Sequence, residues 1–79
     1  MTFVEAAEVF SDWSHRTIPD ATHSTEEDRF ITIGMSYQFR LLVVVHFDSD
    51  TTIRIISARP ATRRERETYE EEPDRPRQR

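Results

Sequence analysis

The residues best suited to chemistry lie in the second half of this sequence: Arg54, Arg59, Arg63 and Arg66, with His46, Glu65 and Tyr69 among them. A guanidinium fork meets phosphate or carboxylate oxygens two at a time and remains cationic, so it can hold developing negative charge, but it is a poor general base. Arg63 and Arg66 are three apart, a spacing that places both on one face of a helix. Arg54 and Arg59 flank the end of an apolar run, where they can contact phosphate or form surface ion pairs with Asp48, Asp50 or Glu65. Imidazole suits proton transfer near neutral pH. His46 is the one histidine within an expected strand, although on a mostly apolar face such a residue more often serves as a satisfied core-edge group. Glu65 can act as a base, yet it also ends Thr62-Arg63-Arg64-Glu65, a helix-capping pattern that explains it without chemistry. Tyr69 can stack, donate a proton, or anchor its helix.

Several chemistries drop out. Cysteine is absent, which removes disulfides and thiolate zinc sites. The one glycine, Gly34, cannot build a phosphate-cradling or dinucleotide-binding loop, and no Gly-x-Ser-x-Gly elbow occurs. His15 and His23 with Asp20 between them match imidazole and carboxylate ligation. That spacing is generic and lacks a third ligand, so neither a metal site nor a cofactor is expected. No apolar run approaches the roughly 20 residues of a membrane span, and no leader opens the chain, so a soluble, cytoplasmic protein is expected.

The elements that must position these groups can be read from periodicity. Leu41 to Val45 and then Ile53, Ile55 and Ile56 read as two strands joined through Asp48-Ser49-Asp50. Arg29 to Met35 reads as a preceding strand. Short loops then pair His46 with Ile53, Phe47 with Thr52, Val44 with Ile55, Ile33 with Leu42 and Ile31 with Val44. One face collects Ile31, Ile33, Leu42, Val44, Ile53 and Ile55, with Arg29 and His46 at its edge. The other is mixed, carrying Val43, Val45, Phe47, Arg54 and Ile56. Thr2-Phe3-Val4-Glu5 fits a capping box that opens a helix from about Phe3 to Ser11, whose Phe3, Ala6, Ala7, Phe10 and Trp13 form a stripe for the sheet. Residues 12–28 read as a loop. A polar final helix runs to about Glu72, where Pro73 stops it, and residues 73–79 read as a disordered tail. The expected fold is α+β: a short N-terminal helix, a three-stranded antiparallel meander and a C-terminal helix, in one domain over residues 1–72.

At 79 residues a single core supplies only about 3–5 kcal/mol of net stability. Leu41 to Val45, five apolar residues in succession, demand cover on both faces, which points to a partner chain or a homodimer. The net charge is −4, all eleven cations are arginine, and most lie from Arg54 onward, while Asp20, Glu26, Glu27 and Asp28 make an acidic connector.

GMSYQFRLLVVVHF followed by IRIISARPATRRERETYEE closely resembles BrnT-type toxins of bacterial type II toxin–antitoxin modules, and FVEAAEVFSD and DRFITIG match the same family in order. The resemblance spans roughly residues 3 to 72. It implies a RelE-like fold, a metal-independent ribonuclease that inhibits translation, and neutralisation by a BrnA-type antitoxin carrying a ribbon-helix-helix domain, with DNA touched only through that antitoxin. On this reading Arg54, Arg59, His46 and Glu65 are the candidate catalytic residues and Arg29, Arg63, Arg66 and Tyr69 the candidate RNA contacts. Family members usually carry a further strand and a lysine-bearing helix before the segment equivalent to Phe3. A chain without them is expected to leave a sheet edge open. The alternative reading is a catalytically impaired, truncated homologue that binds the antitoxin in operon autoregulation.

Overall fold

The computed structural model describes residues 2–20 and 28–70. Helix α1 (Phe3–Glu8) tightens into a 3₁₀ turn (Val9–Ser11). Strands β1 (Arg16–Pro19), β2 (Arg29–Met35), β3 (Leu41–Asp48) and β4 (Ile53–Pro60) follow, then helix α2 (Arg63–Glu70). The strands form one antiparallel sheet in the order β1-β2-β3-β4. The α+β class stands, with four strands where the sequence suggests three. The extra strand comes from the stretch read as loop. Thr17, Ile18 and Pro19 are all exposed, so no apolar alternation betrays it, and pairing with β2 alone makes it a strand. His23, the expected helix end at Glu72 and the expected tail fall outside the described residues.

Register differs from expectation at both hairpins. Met35 pairs with Leu41, so the β2–β3 link has five residues, and Phe39 within it takes the left-handed conformation at φ 63°. Ile33 therefore meets Val43 and Ile31 meets Val45. A slip of one residue exchanges the faces of a strand, and Ile31 and Ile33 accordingly lie opposite the Leu42–Val44 face. At the second hairpin His46 pairs with Ile55 and Phe47 with Arg54, two positions along from the expected partners. Farther on Val45 pairs with Ser57, which leaves Ile56 as the extra residue of a β-bulge.

The core lies between α1 and one sheet face. Ala6, Val9, Leu42 and Val44 are fully buried, with Phe10, Ile55 and Ala58 packed on them. Burying an aliphatic side chain of this size contributes roughly 1.5–3 kcal/mol. The buried stripe of the helix is Glu5, Ala6 and Val9, whereas Phe3 and Trp13 are exposed, contrary to the expected aromatic stripe. The 3₁₀ turn rotates the later positions, and Glu5 is drawn inward by Ser36 and Arg40. Thr2 caps the Glu5 N–H at 3.1 Å, but the Glu5 carboxylate serves that distant pair in place of the reciprocal cap. The Arg40 hydrogen bond holds the Glu5 carboxyl below its usual range, against the opposing effect of desolvation.

Leu41, Leu42, Val43 and Val44 are buried by this chain itself, and Val45 is half-buried. The β3 run therefore needs little cover from a partner, because α1 shields one face and α2 leans over the other. Gly34 permits the close approach of the 3₁₀ turn: a Cβ there would lie 2.7 Å from Val9 Cγ1 and 3.1 Å from the Val9 carbonyl oxygen.

Candidate functional site

The β-bulge decides where the cations sit. Arg54 and Arg59 are five residues apart and would point to opposite faces of a regular strand. Because Ile56 is inserted, Arg54 faces Phe47 and Arg59 faces Val43, and both arginines project from the face under α2. Along one row of this face Arg29 pairs with Phe47 and Phe47 with Arg54. The Arg29 guanidinium carbon lies 5.8 Å from the Phe47 ring centroid, and its Nε donates to Asp20 at 2.9 Å. Phe47 is thus an aromatic plate between two cations, an arrangement suited to stacking a base while its phosphates are held.

Helix α2 is set by its cap. Glu65 N–H donates to Thr62 Oγ1 at 3.2 Å, and Thr62 N–H donates to Glu65 Oε1 at 2.8 Å, completing both halves of the box. Arg59 adds a two-pronged contact to the same carboxylate at 2.8 and 2.7 Å. Chiefly through the Arg59 hydrogen bonds, the Glu65 carboxyl is lowered to about 2. A carboxylate held so firmly ionised is a weak proton acceptor, so Glu65 suits positioning Arg59 better than acting as a base. Arg63 and Arg66 face solvent and reach Glu67 and Glu70 one turn on, at 3.5 and 3.8 Å. Tyr69 is buried, and its hydroxyl donates to Asp12 Oδ2 at 2.6 Å. Burial pushes the Asp12 carboxyl up, but hydrogen bonds from Tyr69, Met35 N–H and Ser14 N–H outweigh it and leave the group below its usual range.

Between α2 and the sheet runs a groove of about 390 Å³, lined by Ile18, Ile31, Ile33 and Val43, with Arg16, Arg64, Glu65 and Thr68 at its rim. A second cleft of about 340 Å³ opens at the β3–β4 hairpin between Asp28, Phe47, Asp48, Ser49, Thr52 and Arg54. Arg54 and Arg64 are exposed and carry no ion pair among the described residues. They are the cations open to a phosphate.

His46 is 1 % exposed and cannot itself reach a substrate. Its Nδ1 lies 2.6 Å from Asp48 Oδ1, its Nε2 lies 2.7 Å from Thr32 Oγ1, and Thr32 is 2.6 Å from Thr17 Oγ1. The Phe10 ring meets the imidazole edge-on at 4.9 Å and Phe30 stacks at 6.1 Å. The fold therefore gathers Arg29, Arg54, Arg59 and Glu65 about one face, places Arg63 and Arg66 on the outer side of α2, and sets His46 and Tyr69 inside. Sequence reasoning overlooked Phe47 and Asp48. Only the register beside Arg54 and the alternation with His46 could have marked them.

Among the described residues no group of three or more His, Asp and Glu is placed to hold a metal, and no helix is long and apolar enough to cross a membrane. No curated protein matches the chain. Residues 1–65 match the family described as "Ribonuclease toxin, BrnT, of type II toxin-antitoxin system". The match covers α1, the whole sheet, the Thr62–Glu65 cap and thus every element that carries Arg54 and Arg59. With most of its length inside that match, the chain belongs to the BrnT family of type II toxin–antitoxin ribonuclease toxins.

Proposed function

We propose that this chain, with a RelE-like architecture, cleaves RNA without a metal, inhibits translation in the cytoplasm by doing so, and is silenced by a BrnA-type antitoxin with a ribbon-helix-helix domain. The observation that carries the reading is the shared face of Arg54 and Arg59, produced by the bulge at Ile56 and flanked by Arg29, Phe47 and Arg64. Guanidinium groups stabilise the charge that develops on a phosphate during attack by the 2′-hydroxyl. Arg54 is the cation free to bind that phosphate, and Arg59, oriented by Glu65, lies on the same face. Arg63 and Arg66 extend the positive surface along the RNA backbone. The antitoxin would close the apolar groove under α2 and cover these arginines, and its own DNA-binding domain would supply any contact with DNA.

The reading is tested by inducing the chain alone and following translation, together with cleavage of RNA by the purified protein in EDTA. Translation arrest and EDTA-resistant cleavage are expected, and Arg54→Ala and Arg59→Ala should each reduce cleavage by about 10²-fold, as for loss of one charge-stabilising donor. Relief of the arrest by co-expressed antitoxin is expected as well. Harmless expression with intact RNA would reject the proposal, even if antitoxin binding persisted.

A further inference from the structure

We propose that Ser57 is a further RNA contact of this chain, its hydroxyl donating to a backbone phosphate of a single-stranded RNA laid along β4 between Arg54 and Arg59. The inference rests on the ribonuclease reading above and names a residue that holds the strand, not one that moves a proton.

The placement follows from register. Ser57 pairs with Val45, Arg54 with Phe47 and Arg59 with Val43. Val43, Val45 and Phe47 alternate along β3 and so lie on the face under α2, and directly opposed residues of an antiparallel pair share a face. The row Arg54, Ser57 and Arg59 therefore stands on that face as well. In a regular strand Ser57, three positions from Arg54, would face the other way; the extra residue at Ile56 is what brings it round. Helix α2 shelters the part of the face that carries Ile18, Ile31, Ile33 and Val43, whereas Arg54, Ser57 and Arg59 are all exposed. Among the described residues the Ser57 hydroxyl has no hydrogen-bond partner.

Spacing and chemistry select the ligand. Arg54 and Arg59 stand opposite β3 residues four apart, about 13 Å along the strand, and Ser57 divides that interval. Each half, about 7 Å, is comparable with the step between neighbouring phosphates of an extended nucleic acid strand. The row thus offers a cation, a neutral donor and a cation in turn, and a serine hydroxyl rotates freely to meet whichever phosphate oxygen is presented. Phe47 beside Arg54 adds a ring on which an unpaired base can stack, which favours a single strand over a duplex whose bases are stacked on one another. An acidic peptide would be drawn to the same cations, but the row holds no apolar side chain for it to pack against, and the apolar groove lies on the other half of the face.

The test is binding of the full chain to a short 2′-O-methyl RNA, whose blocked 2′-oxygen cannot attack, so that binding is read apart from cleavage; urea unfolding of each variant checks its folding. Ser57→Ala should weaken binding about tenfold, as for loss of one hydrogen bond to a charged acceptor, and leave the dependence on salt unchanged. Ser57→Thr, which keeps the hydroxyl, should stay within about threefold of wild type, and Ser57→Asp should bind less tightly than Ser57→Ala. Arg54→Ala should by contrast flatten the slope of log affinity against log salt by about 0.7, the share of one phosphate contact on a single strand. A folded Ser57→Ala chain that binds within about twofold of wild type overturns the assignment, even where its antitoxin binding falls. So does equal weakening by Ser57→Thr and Ser57→Ala. A wild-type chain that binds the strand without cleaving unmodified RNA overturns the ribonuclease reading alone, and one that binds no RNA overturns both.

Discussion

The Arg59–Glu65 contact shows how much one pair can contribute at a half-exposed site. Its side chains are 52 % and 33 % exposed, so solvent screening reduces the pair to about 1 kcal/mol despite its two-pronged geometry. The folded-state value of Glu65, about 2, lies below the ordinary 4.5. Its contribution is therefore complete above pH 4.5 and is lost as pH falls toward 2. Glu65→Gln, which retains an oxygen for the Thr62 N–H, should lower the unfolding free energy by about 1 kcal/mol at neutral pH, measured in urea. The two urea midpoints should converge as pH approaches 2. A difference that persists undiminished at that pH would mean that the loss is steric.

Among the elements, the 3₁₀ turn and β2 approach closely because the space that Gly34 leaves is filled by Val9. Gly34→Ala would press a methyl group against both the side chain and the carbonyl oxygen of Val9. Overpacking of this kind costs about 1–3 kcal/mol, and here the obstruction includes backbone that cannot swing aside. Thermal unfolding of Gly34→Ala should show the loss as a lowered midpoint. An unchanged midpoint for Gly34→Ala would show that the turn is free to lift from the strand. The bulge of β4 acts at the same scale: one inserted residue turns the parity of the strand and brings Arg54 and Arg59 to a common face.

Across the whole molecule, α2 is fastened at its two ends, by Arg59 to Glu65 and by Tyr69 to Asp12, with an apolar groove beneath it. The Tyr69–Asp12 bond joins the last element to the turn after the first, so the helix position depends on a contact 57 residues apart in sequence. Tyr69→Phe deletes that bond and should speed amide exchange over Arg63–Glu70 about fivefold, equivalent to about 1 kcal/mol, with β3 unaffected. Equal acceleration in β3 would show that helix and sheet open as one unit.

The residues themselves determined the first helix, the β2, β3 and β4 strands and the α2 cap, because each rests on local signals: β-branched runs, the Asp48-Ser49-Asp50 turn and paired Thr and Glu residues. They also carried the family, through the run from Ile53 to Glu65 and the stretches before it. Tertiary structure decided the rest. β1 has no apolar alternation and exists by pairing, the β2–β3 register turned on one loop residue at Phe39, and the shared face of Arg54 and Arg59 turned on Ile56. Side-chain facing alternates at every strand residue, so an uncertainty of one position in a loop exchanges inside for outside. That is why His46 was legible as a residue type with chemistry, while its burial between Asp48 and Thr32 was settled only when the strands were paired.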